Sequence, residues 1–300
     1  MSVRFNPNLY DNILSGLNSN NQATAIAQEE LATGRRVNEP SDDPSATAVA
    51  IGIHAQSSQD DQFNQNISSV SGLLQTADST LSSVVTALTQ AITLGVQAGD
   101  GTISASSRAT LSNQIQSVSA QVLSLANTTY QGSYIFAGNN SGQPAYVTDP
   151  ASPSGVTYQG NSGVNSVEIA QGQTITTNVP GSQILTSPSS DVFAALNNLA
   201  QAAQSGNGVQ AAVTQLRAVF DHVTSQRTFY GSQLTQLNST STYLSNNKIQ
   251  LASQENTAIG IDLSQATIDV QNALTNRSAI LAAGGKIQNT SLLDFLSATT

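Results

Sequence analysis

Apolar residues recur at alternating intervals of three and four residues between residues 46 and 98, and no proline interrupts the series. This spacing is typical of a helix that packs along a coiled-coil seam. A single helix cannot bury its own stripe, so the pattern predicts one long helix with helical partners along its length. The series is Ala46, Val49, Ile53, Gln56, Asp60, Phe63, Ile67, Val70, Leu74, Ala77, Leu81, Val84, Leu88, Ala91, Gly95 and Ala98.

Two further stripes supply partners for this helix. A shorter one follows the turn at Gly99–Gly101, and a long one begins at Val213 and ends at Ala258. Two long stripes separated by over a hundred residues can pack antiparallel if the intervening chain turns round. We therefore predict a mainly α fold, an elongated antiparallel helical coiled-coil rod with an inserted small β-rich domain. The shorter stripe comprises Leu111, Ile115, Val118, Val122 and Leu125.

The inserted domain is predicted at residues 133–187, where glycine and proline become frequent and the apolar period becomes alternating. A short helix is expected after it, capped by Ser190 or Asp191. Because this domain lies between two stripes that pair, its ends should lie close together. We expect it to be largely dispensable for assembly.

The apolar stripe shifts by one position near residue 259, where Gly260 lies. One residue is about 100° of helix rotation, so residues 259–300 are predicted to form a separate terminal helix. It should include Leu263, Ala266 and Val270. The N-terminal stripe, which contains Ile13, Leu17 and Leu31, is weaker, since Asn20 and Thr24 interrupt it.

Five segments follow from these patterns, and each has one predicted role. They are an N-terminal assembly helix at 1–40, rod helices at 41–132, the β-rich outer domain at 133–187, rod helices at 188–258 and a C-terminal assembly helix at 259–300.

The stretch "ATGRRVNEPSDDPSATA" at residues 32–48 concentrates charge in a chain with only 9% charged residues. Gly34 is suited to ending the first helix in a left-handed conformation. Asp43 followed by Pro44 is typical of a helix N-cap and first helical residue. We interpret the stretch as a connector between two helices rather than a catalytic carboxylate pair, because nothing nearby in sequence supplies a pocket.

Composition narrows the possible functions further. The net charge is −9, there is no cysteine, and the only pair of adjacent basic residues is Arg35–Arg36. A nucleic-acid partner is therefore not expected, and disulfides, thiolate metal sites and cysteine nucleophiles are excluded. The first residues lack the apolar core of a signal peptide. Nor does any run approach the ~20 consecutive apolar residues of a membrane span, so no membrane insertion is expected.

No pattern for catalysis stands out. His54 and His222 have no His, Asp or Glu at ligand spacing, and no motif for a phosphate loop, dinucleotide site or zinc hydrolase occurs. We predict a protein that is not an enzyme, with no catalytic residues, no metal and no cofactor.

The C-terminal sequence "SLLDFL" at residues 291–296 is apolar where chain ends usually fray. Leu292, Leu293, Phe295 and Leu296 are therefore candidate assembly or chaperone contacts, together with Ile13, Leu17 and Leu31. The alternative is a helix end folded onto its own rod.

Several stretches of this sequence resemble those of known protein families. The connector "TGRRVNEPSDDPSATAVA" and the turn "LGVQAGDGTISASSR" resemble the bacterial flagellin superfamily. The stretches "YQGSYIFAGNNSG" and "VTYQGNSGVNSVEIAQGQTITTNVPGSQIL", with the ending "SLLDFL", are similar to the hook–filament junction proteins, the type 3 hook-associated class. Immune-recognised flagellins usually carry an arginine where this chain has Ile92.

The resemblance implies a structural component of the bacterial flagellum, located outside the cell and exported unfolded through the type III export apparatus without a cleaved signal. It implies a ring of copies of the chain between the first hook-associated junction protein and the flagellin filament subunits, and binding of a flagellar export chaperone by C-terminal sequence.

Three hypotheses remain at this stage. They are a junction protein, a filament-forming flagellin with a small outer domain, and an unrelated coiled-coil adhesin or surface enzyme. Unlimited self-polymerisation would indicate a filament subunit, and a hydrolase assay on cell-wall substrates would test the last.

Overall fold

The computed structural model describes residues 9–297, with side chains from residue 11 to residue 286. The chain divides into two compact units. We call residues 59–246 the central unit, and residues up to 58 together with those from 247 onward the terminal unit. The five-segment division stays a prediction.

Helices dominate the described chain, as the sequence predicts. They are α1 (Leu9–Thr33), α2 (Pro44–Ala98), α3 (Ala105–Ala126), α4 (Gly181–Ile184), α5 (Val192–Ser205), α6 (Val209–Ile259) and α7 (Leu263–Ser297).

In the described part of the chain, eight short strands form four antiparallel pairs, each joining neighbours in sequence. A register shift between Glu168 and Ala170 interrupts the longest pair. These are β1 (Thr129–Tyr130) with β2 (Ser133–Tyr134), β3 (Tyr146–Thr148) with β4 (Val156–Tyr158), β5 (Ser166–Ala170) with β6 (Gln173–Thr176), and β7 (Thr186–Ser187) with β8 (Ser190–Asp191). The predicted combination of long helices with a small β-rich region is confirmed, whereas coiled-coil geometry stays a prediction.

Burial in the central unit follows the predicted stripe of α2. Every position of that series from Phe63 to Ala98 is buried. Leu74, Leu81 and Leu88 are fully enclosed. Residues of α3 and α6 complete the same core, including Ile115, Val122, Leu216 and Val223. The 3.6-residue period therefore identifies the core face of α2 in this unit.

Close approach of helices constrains one position in this core. A Cβ on Gly95 would lie 2.8 Å from Val213 Cγ2 and 2.9 Å from Leu199 Cδ1. Real Cβ atoms do not approach carbon this closely, so α2, α5 and α6 meet where only glycine fits without a shift.

The β-rich region shares the core of the helices. The Tyr146 ring lies 5.3 Å from that of Phe193 on α5. Asn127 at the end of α3 donates from Nδ2 to the Tyr146 carbonyl over 2.7 Å and accepts from the Tyr146 N–H over 2.9 Å. The hairpins thus lie directly on helices, and short strands need such packing for stability.

Helix α2 contains an 18-residue window of mean hydropathy 1.3, of which 39% is buried inside the protein. By length and composition alone this helix could cross a membrane. That is weak evidence, because core helices of water-soluble proteins meet the same criterion.

Candidate assembly interface

The terminal unit contains the residues that the sequence marks as candidate contacts. Its main feature is the pair formed by α1 and α7. A Cβ on Gly284 would lie 3.7 Å from Ile13 Cγ2, and Arg35 forms an antiparallel bridge with Gly260. Since Ile13 lies early in α1 and Gly284 late in α7, the two helices run antiparallel.

Small side chains occupy the centre of this helix pair. Thr24 and Ala27 are buried on α1, and Ala266 and Ala273 are buried on α7. Small residues bury little apolar area each, so each contact contributes little free energy. The predicted contacts Ile13, Leu17 and Leu31 are half-buried.

The connector between α1 and α2 is built by local hydrogen bonds. Gly34 follows α1 with φ 70°, and its N–H donates to the Glu30 carbonyl over 2.8 Å. Asp42 Oδ2 accepts from the N–H groups of Asn38 and Glu39 over 3.0 and 2.8 Å. These bonds hold the connector in one compact turn.

Asp43 caps α2, whose first residue is Pro44. Its Oδ1 accepts from the N–H of Ser45 over 3.1 Å and of Ala46 over 3.0 Å. The bond from Ala46, followed by that from Arg36, holds the pKa of Asp43 below its usual value. The ionised form is therefore favoured at the positive end of the helix dipole.

The connector also forms hydrogen bonds with the backbone at the end of α6, through its own backbone and one arginine side chain. The Arg36 N–H donates to the Ile259 carbonyl over 2.8 Å, and the Ile261 N–H donates to the Gly34 carbonyl over 3.3 Å. Arg36 Nη2 donates to the Ala258 carbonyl over 3.1 Å. These bonds join two segments that are more than two hundred residues apart.

The Glu255 carboxylate on α6 contacts two side chains, Arg35 and His54, that sequence spacing does not reveal. Its Oε1 lies 3.2 Å from Arg35 Nη2 and 2.8 Å from His54 Nε2. His222, in the central unit, contacts the Gln183 carbonyl at 2.9 Å. Local spacing could not show these partners, because each comes from a distant part of the chain.

Among the described residues, two apolar members of the predicted stripes are exposed and lie outside the cores. Val49 is 50% exposed, while its neighbour Ala50 is buried against Val37 and Ile259. The connector packs on the Ala50 face, so the α2 stripe is displaced there. Leu263 is 61% exposed. It lies in the first turn of α7, where Asp262 caps the helix by accepting from the Ser264 N–H over 2.9 Å.

Exposed large apolar residues concentrate in the terminal unit. Leu263, Leu274 and Leu281 are 61%, 42% and 55% exposed. Their spacing of eleven and seven residues places them on one line of α7, beside the face that packs on α1. The terminal unit also exposes Leu14, Ile26, Val49, Ile51, Ile249 and Ile268, whereas the described central unit exposes Val96, Val164 and Tyr243.

The last predicted contacts lie at the end of α7. The helix runs to Ser297, but the side chains of Leu292, Leu293, Phe295 and Leu296 lie outside the described residues. Their role stays a prediction.

One carboxyl in this unit, that of Glu30, has a pKa above its usual value. Burial is the largest cause that raises the pKa of Glu30, and Asp269 on α7 and Asp42 add to it, while Arg36 opposes it. Among residues 9–297, no group of three or more His, Cys, Asp or Glu side chains could hold a metal ion.

Sequence comparison identifies relatives over part of the chain. Residues 6–141 match the family described as the bacterial flagellin N-terminal helical region. Flagellar hook-associated protein 3 of Salmonella typhimurium is 34% identical over 131 residues, which are 43% of this chain and 41% of that protein. Flagellin of Listeria monocytogenes is 35% identical over 113 residues, 38% of this chain and 39% of that protein. The match thus spans about two fifths of the curated relatives.

The fold likeness extends further than the sequence match. A Vibrio parahaemolyticus protein described as a flagellar hook-associated protein superposes with TM-score 0.67. The superposition covers 73% of this chain and 100% of that one, at 21% identity, so it shows a shared fold. Over residues 6–141, this chain is therefore similar to the family described as the bacterial flagellin N-terminal helical region.

Proposed function

We propose that this chain is a structural component of the bacterial flagellum that forms the junction between the hook side and the flagellin filament. The match to hook-associated protein 3 covers 131 residues at 34% identity, and the shared fold covers nearly three quarters of the chain. The observation that carries the proposal is the line of exposed leucines on α7, which gives the terminal unit an apolar surface suited to neighbouring subunits.

The proposal assigns separate partners to the chain. Copies of the chain form a ring, whose neighbours are the first hook-associated junction protein on one side and flagellin subunits on the other. Helix α7 and helix α1 supply contacts in this ring. Small residues between them allow the pair to adjust when a neighbour's helix packs against Leu274 and Leu281.

Export and location belong to the same proposal. The chain leaves the cell unfolded through the flagellar type III export apparatus and functions outside. The apolar sequence at Leu292, Leu293, Phe295 and Leu296 binds an export chaperone before export. The fold has a structural role, and no catalysis is proposed.

A filament-forming flagellin is the second candidate, because Listeria flagellin matches this chain at a similar identity. Labelled antibody on sheared flagella of the encoding bacterium separates the two. A junction protein is labelled at one end of each filament, and a flagellin along its whole length. Label along the filament, or absence of label from flagella, contradicts the proposal.

A further inference from the structure

The turn between α5 and α6 has a chemical reactivity that is unrelated to the proposed assembly contacts on α1 and α7. It consists of Gly206, Asn207 and Gly208, all exposed. Both glycines have positive φ, 76° and 72°. Asn207 and Gly208 form the only Asn-Gly dipeptide in the sequence.

Hydrogen bonding leaves the reacting groups of this dipeptide free. The Asn207 N–H donates to Ser205 Oγ over 3.2 Å. In the described part of the chain, the Asn207 side-chain amide and the Gly208 N–H have no hydrogen-bond partner, although the Gly208 carbonyl accepts from Ala212. Glycine adds no Cβ that would hinder approach of its nitrogen to the preceding side chain.

We propose that Asn207 is a site of spontaneous deamidation. The Gly208 nitrogen attacks Cγ of Asn207 and forms a C–N bond, which closes a cyclic imide. The proton of the Gly208 N–H is transferred to the side-chain nitrogen, whose bond to Cγ breaks, and this nitrogen leaves as ammonia. Water then adds to one of the two imide carbonyls and breaks its C–N bond. The products are aspartate or isoaspartate at position 207. No oxidant or reductant takes part, and water is the only co-reactant.

The surroundings favour the negative charge that results. Arg108 on α3 lies against the turn, since a Cβ on Gly206 would lie 3.2 Å from its Nε. That Nε is buried and has no hydrogen-bond partner in the described structure. Helix α6 has no acidic residue in its first turn, so a carboxylate at position 207 also lies at an unoccupied positive helix end.

Asn161 provides an internal control, because it is equally exposed and precedes Ser162. Its Oδ1 accepts from the N–H groups of Asn139 over 2.8 Å and of Gly163 over 2.9 Å. These bonds fix the amide and hold it away from the attacking geometry. Deamidation at Asn161 should therefore be slower.

The purified full chain is incubated at mildly alkaline pH, and peptides containing residues 161 and 207 are followed by mass spectrometry. Asn207 is expected to gain the mass of a carboxylate at least about tenfold faster than Asn161, with aspartate and isoaspartate both detected. Rates within about twofold of each other at the two sites overturn the proposal.

Two variants test the chemistry. Asn207→Gln keeps the amide but lengthens the side chain, so the same ring cannot form and the peptide should stay unmodified. A mass gain at an unchanged rate in this variant overturns the proposal. Gly208→Ala should slow the reaction about tenfold. Because its φ of 72° strains alanine, the helical circular dichroism of this variant is checked first.

Discussion

Arg227 donates two hydrogen bonds to Asp78, from Nε to Oδ1 over 3.0 Å and from Nη2 to Oδ2 over 3.2 Å. Arg227 is a polar member of the mainly apolar stripe on α6, and its pairing with Asp78 accommodates it at the partly buried edge of the central core. Side-chain exposures of 30% and 32% leave the pair only partly solvated. The two-point geometry ties α2 to α6 at a defined register.

A double-mutant cycle with Asp78→Ala and Arg227→Ala should give a coupling free energy of about 1 kcal/mol. The partly exposed, two-point geometry is the reason for this modest value. Urea unfolding of the four proteins measures it, and added salt should reduce it. Additive effects of the two substitutions at low salt would show that the pair is energetically silent.

Leu81→Ala should lower the free energy of unfolding by about 2–5 kcal/mol, because a fully buried leucine is replaced by a cavity. Ser83→Ala, at an exposed site two residues away, should change it by less than about 0.5 kcal/mol. Urea unfolding measures both. Similar losses for the two variants would mean that Leu81 does not face the core.

Glu30→Gln should stabilise the terminal unit at neutral pH. Burial raises the pKa of Glu30, so the folded chain holds this proton to a higher pH than the unfolded chain does. Ionisation therefore favours unfolding as the pH rises past the ordinary value of 4.5. Substitution removes that cost, which is below about 1 kcal/mol because the group is largely solvated.

Thermal unfolding at neutral pH and well below pH 4.5 measures the effect of Glu30→Gln. The gain should vanish at the lower pH, where both states are protonated. A gain that persists there would assign the effect to packing rather than charge.

Replacing Leu274 and Leu281 together by serine should leave the monomer's melting temperature nearly unchanged, since both side chains are largely exposed. Incorporation into flagella should be lost, because the apolar line on α7 is interrupted. Motility and flagellin released into the medium measure the loss. Val96→Ser with Val164→Ser is the matched control, 55% and 52% exposed in the central unit. Equal defects in both variants would contradict a specific role for α7.

Deleting residues 290–300 removes Leu292, Leu293, Phe295 and Leu296. The central unit should fold as before, because none of its core residues comes from this segment. We expect loss of chaperone binding and shedding of flagellin into the medium. Intact motility of the encoding bacterium with this deletion would remove the C-terminal segment from the assembly and export hypotheses.

Local patterns predicted those features that depend on neighbours in sequence. The period of α2 identifies buried residues from Phe63 to Ala98, because one face of a helix meets one core. The roles of Gly34 at the end of α1 and of Asp43 as the cap of α2 are predictable, because the end and the cap of a helix depend on neighbouring residues in sequence. Asp191 likewise caps α5, accepting from the Ala194 N–H over 2.9 Å.

Features that depend on distant neighbours escaped the sequence patterns. The contact of His54 with Glu255 joins residues 201 positions apart. Burial of Ala50 instead of Val49 requires knowing that Val37 packs there. The packing of the β-rich region against the helices escaped for the same reason, and its dispensability for assembly stays a prediction. Its Tyr146 fills a core built by helices, so deleting residues 133–187 should destabilise the central unit rather than leave it intact.

The bridge between Arg35 and Gly260 has a consequence for the order of events during synthesis and refolding. Its two strands of backbone come from near the beginning and near the end of the chain. A contact at such separation forms late, since a long loop must close first. The α1–α7 pair therefore forms only after both helices and the residues between them are free to fold. While a chain passes unfolded through a narrow channel, α1 and α7 stay apart. The two helices pair only after the chain has left the channel.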